Sequence, residues 1–431
     1  MRILLIAYEY PPIIAAQALR WYYLVNELAI SGIEVDVLTP NIRNIWNFTG
    51  RDQPGVTVYR CYPGPFVALS GWASRFSAKS PNTTHVEQAR RSFFNLRLLY
   101  GFIRRVLDHL VFPDVRTEWL GFAWKELRRL HAQRHYDIFI SSHEPGVDLL
   151  LGLRAQKKWH IPWIVDLGDP VLTIYTPWWR RLLDKNLERR VCRQADHILV
   201  TTEPARELLA RRHGVDNQRF MVVSQGFDAS GIVSLPDATP TKPQFLLVYT
   251  GTFYQKFRNP SEWLSALADL PNIKCIIAGH TGSFTPELST LGKQITVMGK
   301  LNHRDCLVLQ KRATMLVNLG NQQTYQVPGK LYEYFGACRP ILHVQANMGA
   351  DASASLVKEL RRGIIVPNQR DAIREQLEKL YLDWKAGALD ERFDLSLQSV
   401  KEFSWAHQAS RVHDLCENLL AHLPKRTSDK Y

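Results

Sequence analysis

The chain has 431 residues, 45% of them apolar, six cysteines and a net charge of +13. That length is about three times an average domain of ~150 residues, so two large domains with a core each are expected, and a disordered or fibrous chain is excluded. Cys61, Cys192, Cys275, Cys306, Cys338 and Cys416 are scattered without metal-ligand spacing, which predicts a reducing compartment, no disulfide framework and no metal site.

The opening "MRILLIAYEYPP" holds an apolar run that stops at Ala7, too short for the core of an export signal, and no window reaches the ~18 apolar residues of a membrane span. A cytosolic protein is expected, and the sequons at Asn47 and Asn82 then carry no weight. "ILLIA" suits a buried strand, "AAQALRWYYLVNELAISG" a helix closed by Gly32, and "IEVDVLT" a second strand; this is a βαβ unit and implies a parallel sheet.

Residues 51–105 are less regular and carry nine basic residues against only Asp52 and Glu87. They also carry Phe66, Trp72, Phe76, Phe93, Phe94, Tyr100 and Phe102. Basic and aromatic residues interleaved in this way suit an anionic membrane surface or a charged polymer; a solvated basic face over core aromatics is the plain alternative.

Alternation resumes with the strand "DIFISS", the helix "VDLLLGLRAQKKW", and the strand "PWIVDLGD" with Asp166 and Asp169 at its end. "LLDKNLERRVCRQA", "HILVTT", "EPARELLARRHG" and "RFMVVSQGFD" continue it. From Ala229 to Gln244 the chain is aperiodic and rich in Ser, Thr, Pro and Ala, and is expected to be a linker. A second series follows: the strand "FLLVYTG", the helix "NPSEWLSALADL" with Asn259 or Ser261 as N-cap, and the strands "IKCIIAG", "ITVMG", "MLVNLG" and "PILHVQ". Beyond Arg370 the chain reads as mainly helical, ending in "SWAHQASRVHDLCENLLAHL". Two consecutive doubly wound α/β domains result, with ligands expected beyond the carboxyl ends of the strands, in a cleft between the domains.

Neither a phosphate loop of the G-x-x-x-x-G-K-[ST] kind nor a G-x-G-x-x-G fingerprint is present. Two other stretches carry the signal. In "YTGTFYQKFRNP", Gly251 permits close backbone approach, Thr252 offers a hydroxyl, and Lys256 and Arg258 supply positive charge. In "QVPGKLYEYFGACRPIL" a helix is expected to start at or just after Pro328 and Gly329, so that its unpaired N–H groups and Lys330 favour an anion. Glu333, one turn on, can accept from paired hydroxyls such as those of a ribose. The plain alternative, an i,i+3 ion pair worth roughly 0.2–0.5 kcal/mol, does not explain the apolar neighbours Leu331, Tyr332, Tyr334 and Phe335. Together the two stretches describe a site for a nucleoside diphosphate.

With these motifs in this order, the chain resembles the retaining glycosyltransferases of family four, which have the two-domain GT-B fold. The resemblance is carried by "MRILLIAYEYPP…LRWYYLVNELAISGIEVDVLT", "QADHILVTTEPARELL…VVSQGFD", "VYTGTFYQKFRNPSEWLSAL", "CIIAG", "VMGKL" and "VPGKLYEYFGACRPIL". It implies two Rossmann-like domains facing a cleft: 1–228 for the acceptor, a linker at 229–244, 245–403 for a nucleotide-sugar donor, and 404–431 as a helix packing back on the first domain. It implies that Arg258 and Lys330 hold the diphosphate, that Lys330, Leu331, Gly251 and Thr252 line the donor, that Glu333 binds the ribose, and that Gly299 and Lys300 contact the base. His143 falls where the family has a histidine near the transferred sugar, although a histidine at a strand end is often only hydrogen-bonded structure. Tyr10, Arg20, Asp166 and Asp169 are candidates for orienting the acceptor, with Asp169 before Pro170 also readable as a turn cap.

One departure stands out. The family's first glutamate would fall eight residues before Glu333, where this chain has Tyr325, and no acidic residue occurs from Cys306 to Tyr332. Backbone groups or Gln322, Gln323 and Gln326 are left to meet the donor sugar.

The implied chemistry is metal-independent transfer, with no cofactor, from a nucleotide sugar, a uridine diphosphate sugar ahead of a guanosine one. The acceptor is expected to be a lipid-linked saccharide or growing polysaccharide at the inner face of the cell membrane, in cell-surface glycan synthesis. The competing readings are a nucleotide-sugar epimerase of the same fold, a polyanion-binding protein, and an inactive scaffold. Nucleic acid is not an expected partner, because no recognisable module accompanies the charge.

Overall fold

The computed structural model describes residues 1–43, 48–68, 111–235, 244–255, 257–347 and 349–422. Asn47, Asn82, Lys256, residues 69–105 of the basic aromatic segment and residues 236–243 of the expected linker lie outside them. The chain divides into two compact units: Met1–Leu199 with Leu209–Met221 and the residues from Asp414 on, and Val222–His413 with Val200–Leu208.

The first sheet has seven strands, β1 (Arg2–Ile6), β2 (Glu34–Pro40), β3 (Val56–Cys61), β4 (Ile138–His143), β5 (Trp163–Leu167), β6 (His197–Val200) and β7 (Phe220–Val222), in the order β3-β2-β1-β4-β5-β6-β7. The pairs β1–β2, β1–β4, β2–β3 and β4–β5 are parallel. The second sheet has β8 (Leu246–Thr250), β9 (Lys274–Ala278), β10 (Ile295–Gly299), β11 (Met315–Leu319), β12 (Ile341–Gln345) and β13 (Gly363–Pro367), in the order β10-β9-β8-β11-β12-β13 with every pair parallel. In both sheets the order reverses beside the first strand, which is the doubly wound arrangement and places ligand crevices at the carboxyl ends of β1 and β4, and of β8 and β11. Side chains buried on both faces explain the mainly apolar composition of β1, β4, β5, β8 and β11.

The strands expected from the sequence are all present, and two more appear. β3 is an edge strand with a half-exposed pattern, "VTVYRC", so it has no buried run to announce it. β13, "GIIVP", closes the other sheet at its edge and is mostly half-buried. Helices Trp119–Gln133 and His303–Arg312 were likewise not expected. The latter is capped by Asn302, whose Oδ1 accepts from Asp305 N at 2.9 Å while its Nδ2 donates to the Asp305 carboxylate at 2.7 Å. Helix Ser261–Ala268 has Pro260 at its N-cap; Asn259 instead accepts from Ser261 N at 2.9 Å. The aperiodic stretch from Ala229 also differs from expectation. Ala229–Val233 is a short helix capped by Asp228, and Ile232 and Leu235 enter the core of the second unit with Phe227, Val248 and Leu331. The last helix is Trp405–Ala421.

Candidate functional site

Pro328 is the N-cap and Gly329 the first residue of the helix Gly329–Gly336. Eight residues are too few for a stable isolated helix. Its stability comes from Leu331, Tyr332, Tyr334 and Phe335, each at most 1% exposed in the core of the second unit. Such burial contributes about 1.5–3 kcal/mol per large side chain. Tyr334 also fastens the helix to the end of β8, its hydroxyl accepting from Thr250 N at 2.9 Å. The side chain of Leu331, expected to line the donor, is therefore committed to the core, and its N–H donates to Pro328 O at 2.9 Å.

The polar face of this helix carries the electrostatics. Lys330 Nζ donates to Glu333 Oε2 at 2.7 Å. Gln310 Nε2 donates to the same oxygen at 3.1 Å and to Thr250 Oγ1 at 3.0 Å, and His303 Nε2 lies 3.2 Å from Glu333 Oε1. Burial opposes charge on Glu333, but the charges of Lys330 and His303 and their hydrogen bonds outweigh it and hold the carboxyl well below its ordinary range. Burial also opposes charge on Lys330, yet the carboxylate beside it leaves the ammonium a weaker acid than usual. The ion pair weighed as the plain alternative is thus present, as part of a four-residue network rather than as a solvated couple.

Arg258 reaches the same region by another route. Its Nε donates to Asn321 Oδ1 at 2.6 Å, and Asn321 Nδ2 lies 3.4 Å from Gln326 Oε1, two residues before Pro328. Gly251 and Thr252 follow β8 directly; Gly251 N donates to Ala278 O at 2.9 Å, and Thr252 O accepts from the Tyr249 hydroxyl at 3.1 Å. The backbones at the ends of β8 and β9 touch there. A Cβ on Gly279, whose φ is +148°, would fall 1.7 Å from Gly251 O, so only glycine fits. Gly299 ends edge strand β10 at φ +67°, after a register irregularity, and exposed Lys300 follows it.

The loop between β11 and this helix holds Tyr325 and the three glutamines. It is tied to the segment after β12 by Ala352 N to Thr324 O at 3.0 Å and Asn347 Nδ2 to Gln322 O at 3.2 Å. Gln322 is exposed and Gln326 is engaged by Asn321. Gln323 is only 4% exposed, and neither its Nε2 nor its Oε1 has a hydrogen-bond partner among the described residues. A buried amide left unmatched costs about 1–3 kcal/mol, so this side chain is the odd one out in an otherwise satisfied loop.

In the first unit three of the acceptor candidates are buried and engaged by neighbours. Arg20 and Asp166 are both wholly buried and paired at 3.0 Å, and Asp166 also accepts from Gln17 at 2.6 Å and Trp21 at 2.8 Å. They form an internal brace between the first helix and β5. Tyr10 is 1% exposed, its hydroxyl donating to Asp52 at 2.7 Å. Asp169 is half-buried after β5. His143 is the last residue of β4, at the carboxyl edge of the sheet, 7% exposed and with Nδ1 unpartnered among the described residues. Sequence reasoning missed His303, Gln310 and Asn321, each of which acts only through a residue distant in the chain.

Residues 16–226 match the glycosyl transferase 4-like domain. Among solved structures, sucrose-phosphate synthase from Thermosynechococcus elongatus is 15% identical, with a TM-score of 0.68 over 98% of this chain and all of that one. Anabaena HepE in complex with UDP and glucose is 12% identical, with a TM-score of 0.65 over 97% and 100%. A UDP-N-acetylglucosamine 2-epimerase is 11% identical, with a TM-score of 0.55 over 100% and 99%. No curated protein matches the chain. The chain has the GT-B fold of these solved structures, and its residues 16–226 are similar to the glycosyl transferase 4-like domain.

Proposed function

We propose that the second unit binds a nucleoside diphosphate sugar, and that the chain transfers the sugar with retention to a hydroxyl of a lipid-linked saccharide or growing polysaccharide. The observation that carries this reading is the polarised N-terminus of the helix Gly329–Gly336. It brings one half-exposed lysine, one strongly ionised glutamate and the positive end of a helix together in the region that Arg258 reaches through Asn321. That arrangement suits an anion next to a vicinal diol.

The present pairing of Lys330 with Glu333 is compatible with it. An ammonium has three protons and gives Glu333 one of them, which leaves two for phosphate oxygens. A carboxylate has about four acceptor positions, and three donors occupy them now, so a ribose offering two hydroxyls would displace one. Lys330 is the donor with an alternative, because the phosphate gives it a new partner. His303 and Gln310 would keep the carboxylate aimed. In transfer, the acceptor hydroxyl attacks the anomeric carbon from the face the diphosphate leaves, a phosphate oxygen takes its proton, and Lys330 and Arg258 stabilise the charge that collects on the leaving group. The buried, unmatched amide of Gln323 supplies a contact for donor-sugar hydroxyls where Tyr325 stands in place of a carboxylate. HepE, whose structure holds UDP and glucose, supports a uridine diphosphate sugar as donor. The glycosyl transferase 4-like match favours transfer over epimerisation.

The test is a thermal-shift screen of nucleotides and nucleotide sugars on the wild type and Lys330→Ala. UDP should stabilise the wild type and lose most of that effect in the variant; equal stabilisation of both would refute the donor site.

A further inference from the structure

Of the fourteen exposed large apolar side chains among the described residues, five lie within ten positions: Ile174, Tyr175, Trp178, Leu182 and Leu183. Trp178 is 85% exposed, Leu182 74% and Ile174 58%. They sit on the loop after β5, the short turn Trp178–Arg180 and the first turn of the helix Arg181–Gln194. An apolar cluster of this size on a surface marks an interaction site.

The charges of the same helix are sorted by face. Its two carboxylates point inward: Asp184 takes Arg180 at 2.9 Å, and Glu188 takes Arg212 at 2.7 Å and His213 at 2.6 Å. Its other cations, Arg181, Lys185, Arg189, Arg190 and Arg193, are all exposed, and the exposed face carries no carboxylate. Glu188 also accepts from Leu172 N at 2.9 Å, and Thr173 N donates to Thr176 Oγ1 at 3.1 Å, so the loop bearing Ile174 and Tyr175 is anchored to the helix behind it. The result is an apolar tip with a Trp and a Tyr, followed along one helix by five cations.

We infer that Ile174, Tyr175, Trp178, Leu182 and Leu183 enter the headgroup layer of a membrane while Arg181, Lys185, Arg189, Arg190 and Arg193 bind its anionic lipids. Aromatic side chains settle at that boundary, and an amphipathic cationic helix lies along it. Charge complementarity selects this occupant over a protein groove, because an apolar tip continued by a helix whose exposed charges are all cationic matches a uniformly anionic surface with an apolar interior. No described helix is long and apolar enough to cross a membrane, so the contact is peripheral. The inference locates a docking face outside residues 51–105, and it adds a place of action to the lipid-linked acceptor proposed above without depending on the nucleotide site.

The experiment is co-sedimentation of the full chain with vesicles of phosphatidylcholine mixed with phosphatidylglycerol, against phosphatidylcholine alone. The wild type should bind the mixed vesicles and be released by salt. Trp178→Ser with Leu182→Ser should weaken binding about tenfold or more, and each neutralised cation among Arg181→Gln, Lys185→Gln and Arg189→Gln about fivefold. These side chains are exposed, so unfolding temperature should not move. The inference is overturned if the wild type ignores anionic vesicles, if it binds neutral ones equally, or if the variants bind as it does. UDP stabilisation measured on the same samples reports the nucleotide reading separately, whichever way vesicle binding falls.

Discussion

Replacing Glu333 with glutamine separates the two meanings of the Lys330–Glu333 pair. In an exposed i,i+3 couple the substitution costs about 0.2–0.5 kcal/mol. Here the carboxylate is 12% exposed and takes donors from Lys330, Gln310 and His303. A hydrogen bond to a charged group is worth about 1.5–3 kcal/mol, and the one from Lys330 has to be discounted because its side chain is 33% exposed and can rehydrate. The glutamine also turns an NH2 toward existing donors. A loss of about 2–3 kcal/mol at neutral pH follows, or about 5–10 °C in unfolding temperature for a unit of this size. Scanning calorimetry across pH measures it. The folded carboxyl is held below its ordinary value of 4.5, so its contribution is full above that value and disappears as pH falls beneath it. The wild-type and Glu333→Gln curves should therefore converge in acid. A difference under about 1–2 °C at neutral pH, or one that persists unchanged in acid, would refute the network.

Gln323→Leu removes a buried amide without changing volume much, so stability should hold or rise by about 1 kcal/mol. If the amide meets the donor sugar, transfer efficiency should fall about tenfold or more, the equivalent of one lost hydrogen bond; unchanged turnover would remove Gln323 from the site. Asp166→Asn leaves Arg20 uncompensated in a fully buried position and should cost about 3–5 kcal/mol of stability, read by denaturation, while the acceptor KM of the folded fraction stays unchanged. A raised KM in a stable protein would restore Asp166 as an acceptor contact.

Much of this molecule was legible in one dimension. Strands buried on both faces must be written as mainly apolar runs, so β1, β4, β8 and β11 announce themselves, and with the intervening helical periods they imply two doubly wound sheets. Pro328, Gly329, Lys330 and Glu333 lie within six positions, so a helix start, a cation and a carboxylate one turn apart could be read directly. What could not be read was the edge strand β3, whose half-exposed, alternating residues leave no unbroken apolar run, whereas the short run "GIIVP" of β13 was present and went unread among the helices around it.

Partners and burial belonged to the tertiary structure. Arg20 and Asp166 are 146 positions apart, and nothing in either local sequence says that one bridges wholly inside to the other. Glu333 is gripped by His303 and Gln310, 30 and 23 residues upstream, and Arg258 by Asn321, 63 residues downstream. Side-chain pairing depends on where strands stack, while periodicity records only which face turns inward. For the same reason the helix Arg181–Gln194 looks evenly mixed in sequence; only packing against Arg212, His213 and Leu172 draws its acids inward and leaves its cations and apolar tip outside.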